Sequence, residues 1–189
     1  MQWHGLQSIH PSSYTCGHCG NKVGSNQGWH TASYSPTVVA IYVCSVCLKP
    51  SLFLHGSQYP GVSPGQTVSS LPEDVDKLYN EARASAAANA HTSAVLASRK
   101  LLMHIAVAQG ADENQSFLAY VDYLAGAGYV PPNGRGWVDH IRKRGNEANH
   151  EIQLMTREDS EELLTFLEML LKFVYEFPAR VPARPADPT

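Results

Sequence analysis

Acidic residues are missing from the first third of this 189-residue chain. Residues 1–70 contain no aspartate or glutamate and only two cations, Lys22 and Lys49. Residues 71–178 carry 10 basic and 16 acidic side chains, so the formal net charge of −3 conceals an uneven distribution. A chain with this charge cannot coat itself with nucleic acid through bulk electrostatics. Any nucleic-acid contact has to be local, and the acid-free first third and a cationic run at residues 142–144 are the candidate surfaces.

Long apolar segments are also missing. No apolar run approaches the ~18 residues that a membrane-spanning helix requires, and the first 13 residues have neither the basic nor the apolar segment of a signal peptide. We therefore expect a cytoplasmic protein that makes no membrane contact. The sequence also contains no P-loop, no glycine-rich dinucleotide turn and no recognisable Ser/His/Asp arrangement.

Cysteine is scarce, and all four copies fall into two CxxC pairs with 24 residues between them. Each pair can direct two thiolates to one ion, and two pairs complete a tetrahedral site that suits Zn²⁺. A cytoplasmic protein rarely uses structural disulfides, which favours a metal at this position. The predicted ligands of a structural Zn²⁺ are Cys16, Cys19, Cys44 and Cys47.

Four thiolates close the coordination sphere, which argues against a zinc hydrolase because such an enzyme needs an activated water on the metal. His18 is a spare ligand by type, but a solvent-facing turn residue is the simpler interpretation. The β-branched residues 37–43 lead into the second pair and residues 51–54 leave it, as in a zinc ribbon. We assign this ribbon to residues 1–56.

The rest of the chain is predicted to be helical. Residues 57–70 are rich in glycine, proline and serine and are predicted to form a linker, whereas the proline-rich residues 179–189 are predicted to form a flexible tail. Apolar residues recur at helical spacing through residues 71–178 and predict five helices. These begin near Leu71, Thr92, Ser116, Trp137 and Thr156. The predicted fold is mainly α, with a five-helix bundle behind a small N-terminal β zinc ribbon.

The fourth predicted helix carries the densest group of chemically capable side chains. Residues three, four and seven apart share one face of a helix. A histidine can move a proton near neutral pH and neighbouring cations neutralise phosphate, so the group suits phosphodiester chemistry. The alternative is a solvated helix face with a capping asparagine, since charge runs usually lie on the surface. The group comprises Arg142, Lys143, Arg144, Asn146 and His150.

Several motifs follow one another in an order that resembles a known family. They are the two CxxC pairs, YNEA at residues 79–82, ASR at 97–99, GYVP at 128–131 and GNEANH at 145–150. Together they resemble the family called domain of unknown function 4145, from the first CxxC pair to about Pro178. That family is similar to the HEPN superfamily of small helical bundles, which occur in prokaryotic and phage conflict systems. The resemblance therefore implies an HEPN-like bundle and a defence setting.

The resemblance also implies a type of active site. Many HEPN domains are metal-independent endoribonucleases with an arginine, four to six residues and then a histidine, and a polar residue usually follows the arginine. Arg144 and His150 have five residues between them, which fits the spacing. Alignment of the polar residue on Asn146 instead places Gly145 at the arginine position. This departure leaves open a lost activity, or an arginine supplied from elsewhere, with Arg99 and Arg142 as candidates.

Two functions therefore remain open. In the first, the protein is an endoribonuclease with a histidine base, an asparagine that orients the phosphate and an arginine that stabilises the developing charge. The residues assigned to these roles are His150, Asn146 and either Arg144 or Arg142, with Lys143 and Arg99 as binding cations. In the second, the protein is a non-catalytic module for nucleic-acid binding, protein binding or dimerisation. The resemblance implies a homodimer, with RNA or a protein of a defence system as partner.

Overall fold

The chain divides into two compact units, Met1–Ser63 and Pro64–Thr189. The structure is a computed structural model that describes residues 2–31, 39–130 and 154–181. Within these ranges each unit has a buried core of its own. The first unit carries the cysteine pairs and the second carries the helices.

The first unit is a five-stranded antiparallel sheet in which each strand pairs with the next one in sequence. The hairpin between the first two strands carries the first CxxC pair, and the hairpin between the third and fourth strands carries the second pair. Both pairs therefore sit in turns of the same sheet. The strands are β1 (Gln7–Thr15), β2 (Lys22–His30), β3 (Ala40–Val43), β4 (Pro50–Leu54) and β5 (Ser57–Tyr59).

The inner face of this sheet forms a small aromatic core beside the cysteines. Side chains alternate between the two faces of a strand, so residues two apart share a face. The ring centroids of Tyr14 and Phe53 lie 5.1 Å apart, and those of Tyr42 and Phe53 lie 5.6 Å apart. Such edge-on contacts stabilise aromatic pairs beyond the burial of their area. The buried members of the core are Tyr14, Cys16, Val23 and Cys44.

The second unit contains four helices within its described residues. They are α1 (Glu73–Ala87), α2 (His91–Ala108), α3 (Phe117–Gly126) and α4 (Arg157–Leu171). The path of α4 continues through a π-helical turn, Lys172–Glu176, and a last short turn, Phe177–Arg180. Apolar positions at helical spacing bury one stripe of each helix. Among the described helices, none combines the length and the apolar character needed to cross a membrane.

Helix α4 begins with a capping box formed by Thr156 and Asp159. The Thr156 hydroxyl accepts a hydrogen bond from the backbone N–H of Asp159 at 3.2 Å. In return, the Asp159 carboxylate accepts one from the backbone N–H of Thr156 at 2.8 Å. This reciprocal pair satisfies two N–H groups that would otherwise lack partners at a helix start.

Residues 64–70, which we call the strap, are attached to the helices by carboxylates. The Glu168 side chain accepts a hydrogen bond from the backbone N–H of Gln66 at 2.9 Å. The Glu176 side chain accepts one from the backbone N–H of Ser69, also at 2.9 Å. This bond is the main reason why the pKa of Glu176 lies below its ordinary value.

Two side chains of α1 hold the carbonyl groups of the strap. The Tyr79 hydroxyl donates to the carbonyl of Gln66 at 3.0 Å. The Arg83 guanidinium donates to the carbonyls of Pro64 and Gly65 at 2.9 and 2.8 Å. The strap is thus bound through both the donors and the acceptors of its main chain.

The predicted mainly α fold with a five-helix bundle is wrong. The described residues contain four helices and a five-stranded antiparallel sheet, so the β part is larger than a small ribbon. Strands β1 and β2 form from polar, glycine-containing segments, where pairing with neighbouring strands outweighs intrinsic β-propensity. The predicted helix beginning at Trp137 lies outside the described residues.

Candidate metal centre

The two CxxC turns bring the sulfur atoms of all four cysteines together. All four lie within 4.8 Å of one another. In the part of the chain that the structure describes, they are the one group of metal-ligating side chains close enough to share an ion. The prediction that these cysteines form a cluster able to hold a metal is confirmed.

Two of the six distances between the sulfurs match the edges of a tetrahedral site. The Sγ atoms of Cys16 and Cys47 lie 3.7 Å apart, and those of Cys19 and Cys44 lie 3.8 Å apart. A tetrahedron with metal–sulfur bonds of about 2.3 Å has edges of about 3.8 Å. These distances are far longer than the ~2.05 Å of a disulfide bond. Each pair joins one cysteine from each turn, so a single ion would link the two hairpins.

In the first CxxC turn, a backbone N–H group points towards the sulfur of the first cysteine, Cys16. The backbone N–H of His18 donates to Cys16 Sγ at 3.4 Å. The chain closes behind it, because Gly20 donates its N–H to the carbonyl of Cys16 at 2.8 Å and Cys16 donates to the carbonyl of Asn21 at 2.9 Å. Donors aimed at a sulfur favour its thiolate form, which is the form that binds metal.

The second turn repeats this arrangement. The backbone N–H groups of Val46 and Cys47 donate to Cys44 Sγ at 3.4 and 3.5 Å. Leu48 closes the turn by donating to the carbonyl of Cys44 at 3.0 Å. The Trp3 indole N–H donates to the carbonyl of Leu48 at 2.7 Å and ties the N-terminal segment to this turn.

The four sulfurs differ in burial and in acidity. Cys16 and Cys44 are fully buried, whereas Cys19 and Cys47 are half-buried. Hydrogen bonds from Asn21 lower the pKa of the Cys19 thiol to about 6, while burial raises the pKa of the Cys47 thiol to about 12. The Cys19 and Cys47 thiols therefore differ in acidity, and a bound dication would displace the protons that remain on its ligands.

Two neighbours of the cluster, Tyr14 and Ser51, were not found by sequence reasoning. Burial raises the pKa of Tyr14 to about 12, and the Ser51 hydroxyl opposes this shift. Tyr14 also packs edge-on against Phe53, which lies two residues from Ser51 on β4, so both side chains lie on the same face of the sheet. The alternation of β1 could have indicated them, because Tyr14 and Cys16 are two residues apart, but β1 itself was not predicted.

Of the other predicted site residues, some lie within the described part of the chain and the rest lie outside it. The exposed His18 ring shares a hydrogen bond of 2.9 Å with the carbonyl of Pro50. The Arg99 guanidinium lies 4.4 Å from the ring centroid of Phe117, and burial lowers its pKa. The residues Arg142, Lys143, Arg144, Asn146 and His150 lie outside the described residues.

Residues 80–186 match the model of the family described as Domain of unknown function (DUF4145), which is more than half of the chain. The chain belongs to this family. The resemblance inferred from the sequence motifs is thereby confirmed. No curated protein and no solved structure matches the chain. The matched range contains all four described helices except the start of α1, and the cysteine pairs precede it.

Proposed function

We propose that the first unit of this DUF4145 protein is a zinc ribbon that binds one structural Zn²⁺ through Cys16, Cys19, Cys44 and Cys47. The observation that carries the proposal is the S4 geometry, in which sulfurs from two hairpins are spaced as the edges of a zinc–thiolate tetrahedron. Four soft thiolate ligands in this geometry favour Zn²⁺ over Mg²⁺ or Ca²⁺, which prefer oxygen.

The charge of the first unit supports an anionic metal site. A Zn²⁺ ion with four thiolates carries about two net negative charges. Residues 1–63 contain no aspartate or glutamate, and their two lysines, Lys22 and Lys49, each follow one CxxC turn closely in sequence. The absence of acids therefore avoids repulsion at the metal, and the lysines balance its charge. This balance leaves little excess positive charge for attracting phosphate.

The zinc in this proposal has a structural role. Four cysteines fill the coordination sphere, so no position remains for a water or a substrate. Among the described residues, the buried cluster beside the cysteines has four members, two of which are cysteines themselves. A sheet with so small a core depends on its metal for stability. We infer a metal-stabilised binding module attached to a DUF4145 helical domain.

The test is a metal titration of the full-length chain. We expect one equivalent of Zn²⁺ per chain and, after replacement with Co²⁺, the intense sulfur-to-cobalt charge-transfer bands of a tetrathiolate site. Prolonged chelation should unfold the sheet, which amide NMR would report as the loss of dispersed β-strand resonances. A chain that binds no metal, or that keeps these resonances after complete metal removal, would contradict the proposal.

A second candidate function for the helical unit is metal-independent endoribonuclease activity. It is favoured by the spacing of Arg144 and His150 and by the position of both residues inside the range that matches the family. His150 would act as general base on a 2′-hydroxyl, and Asn146 would orient the phosphate. The alternative, a non-catalytic module, is favoured by the glycine at position 145.

His150→Ala is expected to abolish cleavage of structured RNAs, with a loss of at least about 100-fold because general-base catalysis is removed. The assay is run in EDTA, with product ends mapped for cyclic phosphate and zinc content measured afterwards so that an unfolded ribbon is recognised. His104→Ala is the matched control, since His104 is an exposed histidine on α2. Cleavage that persists in the His150 variant, or is absent from zinc-loaded wild type, would sink the nuclease hypothesis.

A further inference from the structure

Two hydroxyl groups are buried beside the cysteine cluster without a hydrogen-bond partner. The Tyr14 side chain is 7% exposed and Ser51 is fully buried, and neither hydroxyl is paired within the described part of the chain. A buried hydroxyl without a partner costs free energy, and most are satisfied in folded proteins. Two such hydroxyls in one small core therefore indicate an acceptor stronger than a neutral thiol.

The strand register directs both hydroxyls to the same side as the buried sulfurs. Tyr14 lies two residues before Cys16 at the end of β1, so the two side chains share a face. Ser51 pairs with Tyr42 across the β3–β4 ladder, and Tyr42 lies two residues before Cys44. Tyr14 also belongs to the same buried core as Cys16 and Cys44. The hydroxyls therefore approach the cluster from the core, opposite the turns.

The backbone donors described above reach the sulfurs only from the turns. They belong to His18, Val46 and Cys47, and they serve Cys16 and Cys44. On the core side, Tyr14 belongs to the same buried cluster as Cys16 and Cys44 and carries a hydroxyl hydrogen. A neutral thiol is a weak acceptor, whereas a metal-bound thiolate carries charge and accepts strongly. Loading the site with metal would create the acceptor that the Tyr14 hydroxyl lacks, and the Tyr14 oxygen is then free to accept from Ser51.

We propose that Ser51 and Tyr14 form a hydrogen-bond relay to the metal site, in which Ser51 donates to the Tyr14 oxygen and Tyr14 donates to one buried thiolate, that of Cys16 or Cys44. Each hydroxyl hydrogen then has one acceptor, and both orphan groups are satisfied. The inference rests on the proposed zinc site and assigns Tyr14 and Ser51 as positioning residues of that site. They stabilise the negative charge of the sulfurs from within the core.

The test compares Tyr14→Phe with Tyr42→Phe in the full-length chain. Both variants remove one phenolic hydroxyl from the same aromatic cluster, but the Tyr42 hydroxyl donates to the carbonyl of His10 at 3.0 Å, away from the sulfurs. A hydrogen bond to a thiolate lowers the energy of the sulfur lone pair. Its loss in Tyr14→Phe should shift the sulfur-to-cobalt charge-transfer bands to longer wavelength and raise the Kd for Zn²⁺ about tenfold. Tyr42→Phe should leave the bands in place.

The outcomes separate this inference from the zinc proposal. Wild-type protein without thiolate–cobalt bands would overturn the zinc site itself. Wild-type bands with an unchanged Tyr14→Phe spectrum, or with equal shifts in both variants, would overturn the relay alone. Should Tyr14→Phe fail to fold, Ser51→Ala decides, because removing the donor to Tyr14 should produce a smaller shift in the same direction. An unshifted Ser51→Ala spectrum would then reject the relay.

Discussion

Cys44→Ser is expected to abolish tight metal binding and to unfold the sheet of residues 1–63. Cys44 is fully buried and lies at the junction of the metal cluster and the aromatic core. Serine has a shorter side chain and a hard oxygen, so three sulfurs would remain with a poor fourth ligand. Changes outside the ligand set already cost 10- to 100-fold in metal affinity, and we expect the loss of a ligand to exceed about 100-fold.

The measurement is Zn²⁺ affinity by competition with a chromogenic chelator, together with amide NMR of the full-length chain. His18→Ala is the control, because His18 lies in the other CxxC turn and its ring contacts the carbonyl of Pro50. The helical signal in circular dichroism should persist in Cys44→Ser, since the helices have their own buried core. A Cys44→Ser chain that retains one tightly bound Zn²⁺ and an intact sheet would rule out the S4 assignment.

Gly28→Ala is expected to destabilise the first unit by about 3 kcal/mol, because it places an atom where the neighbouring strand already lies. A Cβ at this position would be 1.8 Å from the carbonyl oxygen of Ile41. That oxygen belongs to the backbone of β3, so it cannot move without disturbing the β2–β3 pairing. The strand that carries the second CxxC turn would be displaced with it.

Gly24→Ala is the matched control for Gly28→Ala. Gly24 lies on the same strand, and a Cβ there would meet nothing within 4 Å. Its effect should stay within about 0.5 kcal/mol, as for ordinary surface substitutions. Urea unfolding of the zinc-loaded chain, followed by the β-strand resonances, would measure both variants. Equal urea midpoints for the two variants would contradict the prediction and would show that the sheet relaxes around an added methyl group at position 28.

The cysteine cluster could be predicted from the sequence because its signal is local. The CxxC spacing alone indicates a turn that presents two sulfurs, and two such turns in one chain indicate a shared ion. The positions of the described helices were also predictable, because apolar periodicity and the Thr156 capping box involve residues only a few positions apart. Interactions between residues that are close in sequence can be recognised from a single sequence.

Strands β1 and β2 could not be predicted in the same way. They contain Pro11 and several glycine, serine and asparagine residues, which have low β-propensity. Their conformation depends on partners that are distant in sequence, such as the pairing of Trp29 with Ile41. The roles of Tyr14 and Ser51 depend on the same register. The catalytic prediction for His150 remains a prediction, because that residue lies outside the described ranges.

The strap has the composition of a linker, yet it is held in place by hydrogen bonds to the helices. Apart from the Gln66 side chain, which accepts from Lys172, its hydrogen bonds described above use main-chain N–H and carbonyl groups, which every residue except proline offers in full. Side-chain identity matters at Gly65, where φ is +69° and a Cβ would come within 2.9 Å of Glu168, and at the buried Val68. The conformation of the strap therefore depends mainly on the residues that bind it, which lie up to 107 positions away in the sequence. Substitution of those residues would weaken the attachment of the strap even where the sequence of the strap itself is unchanged.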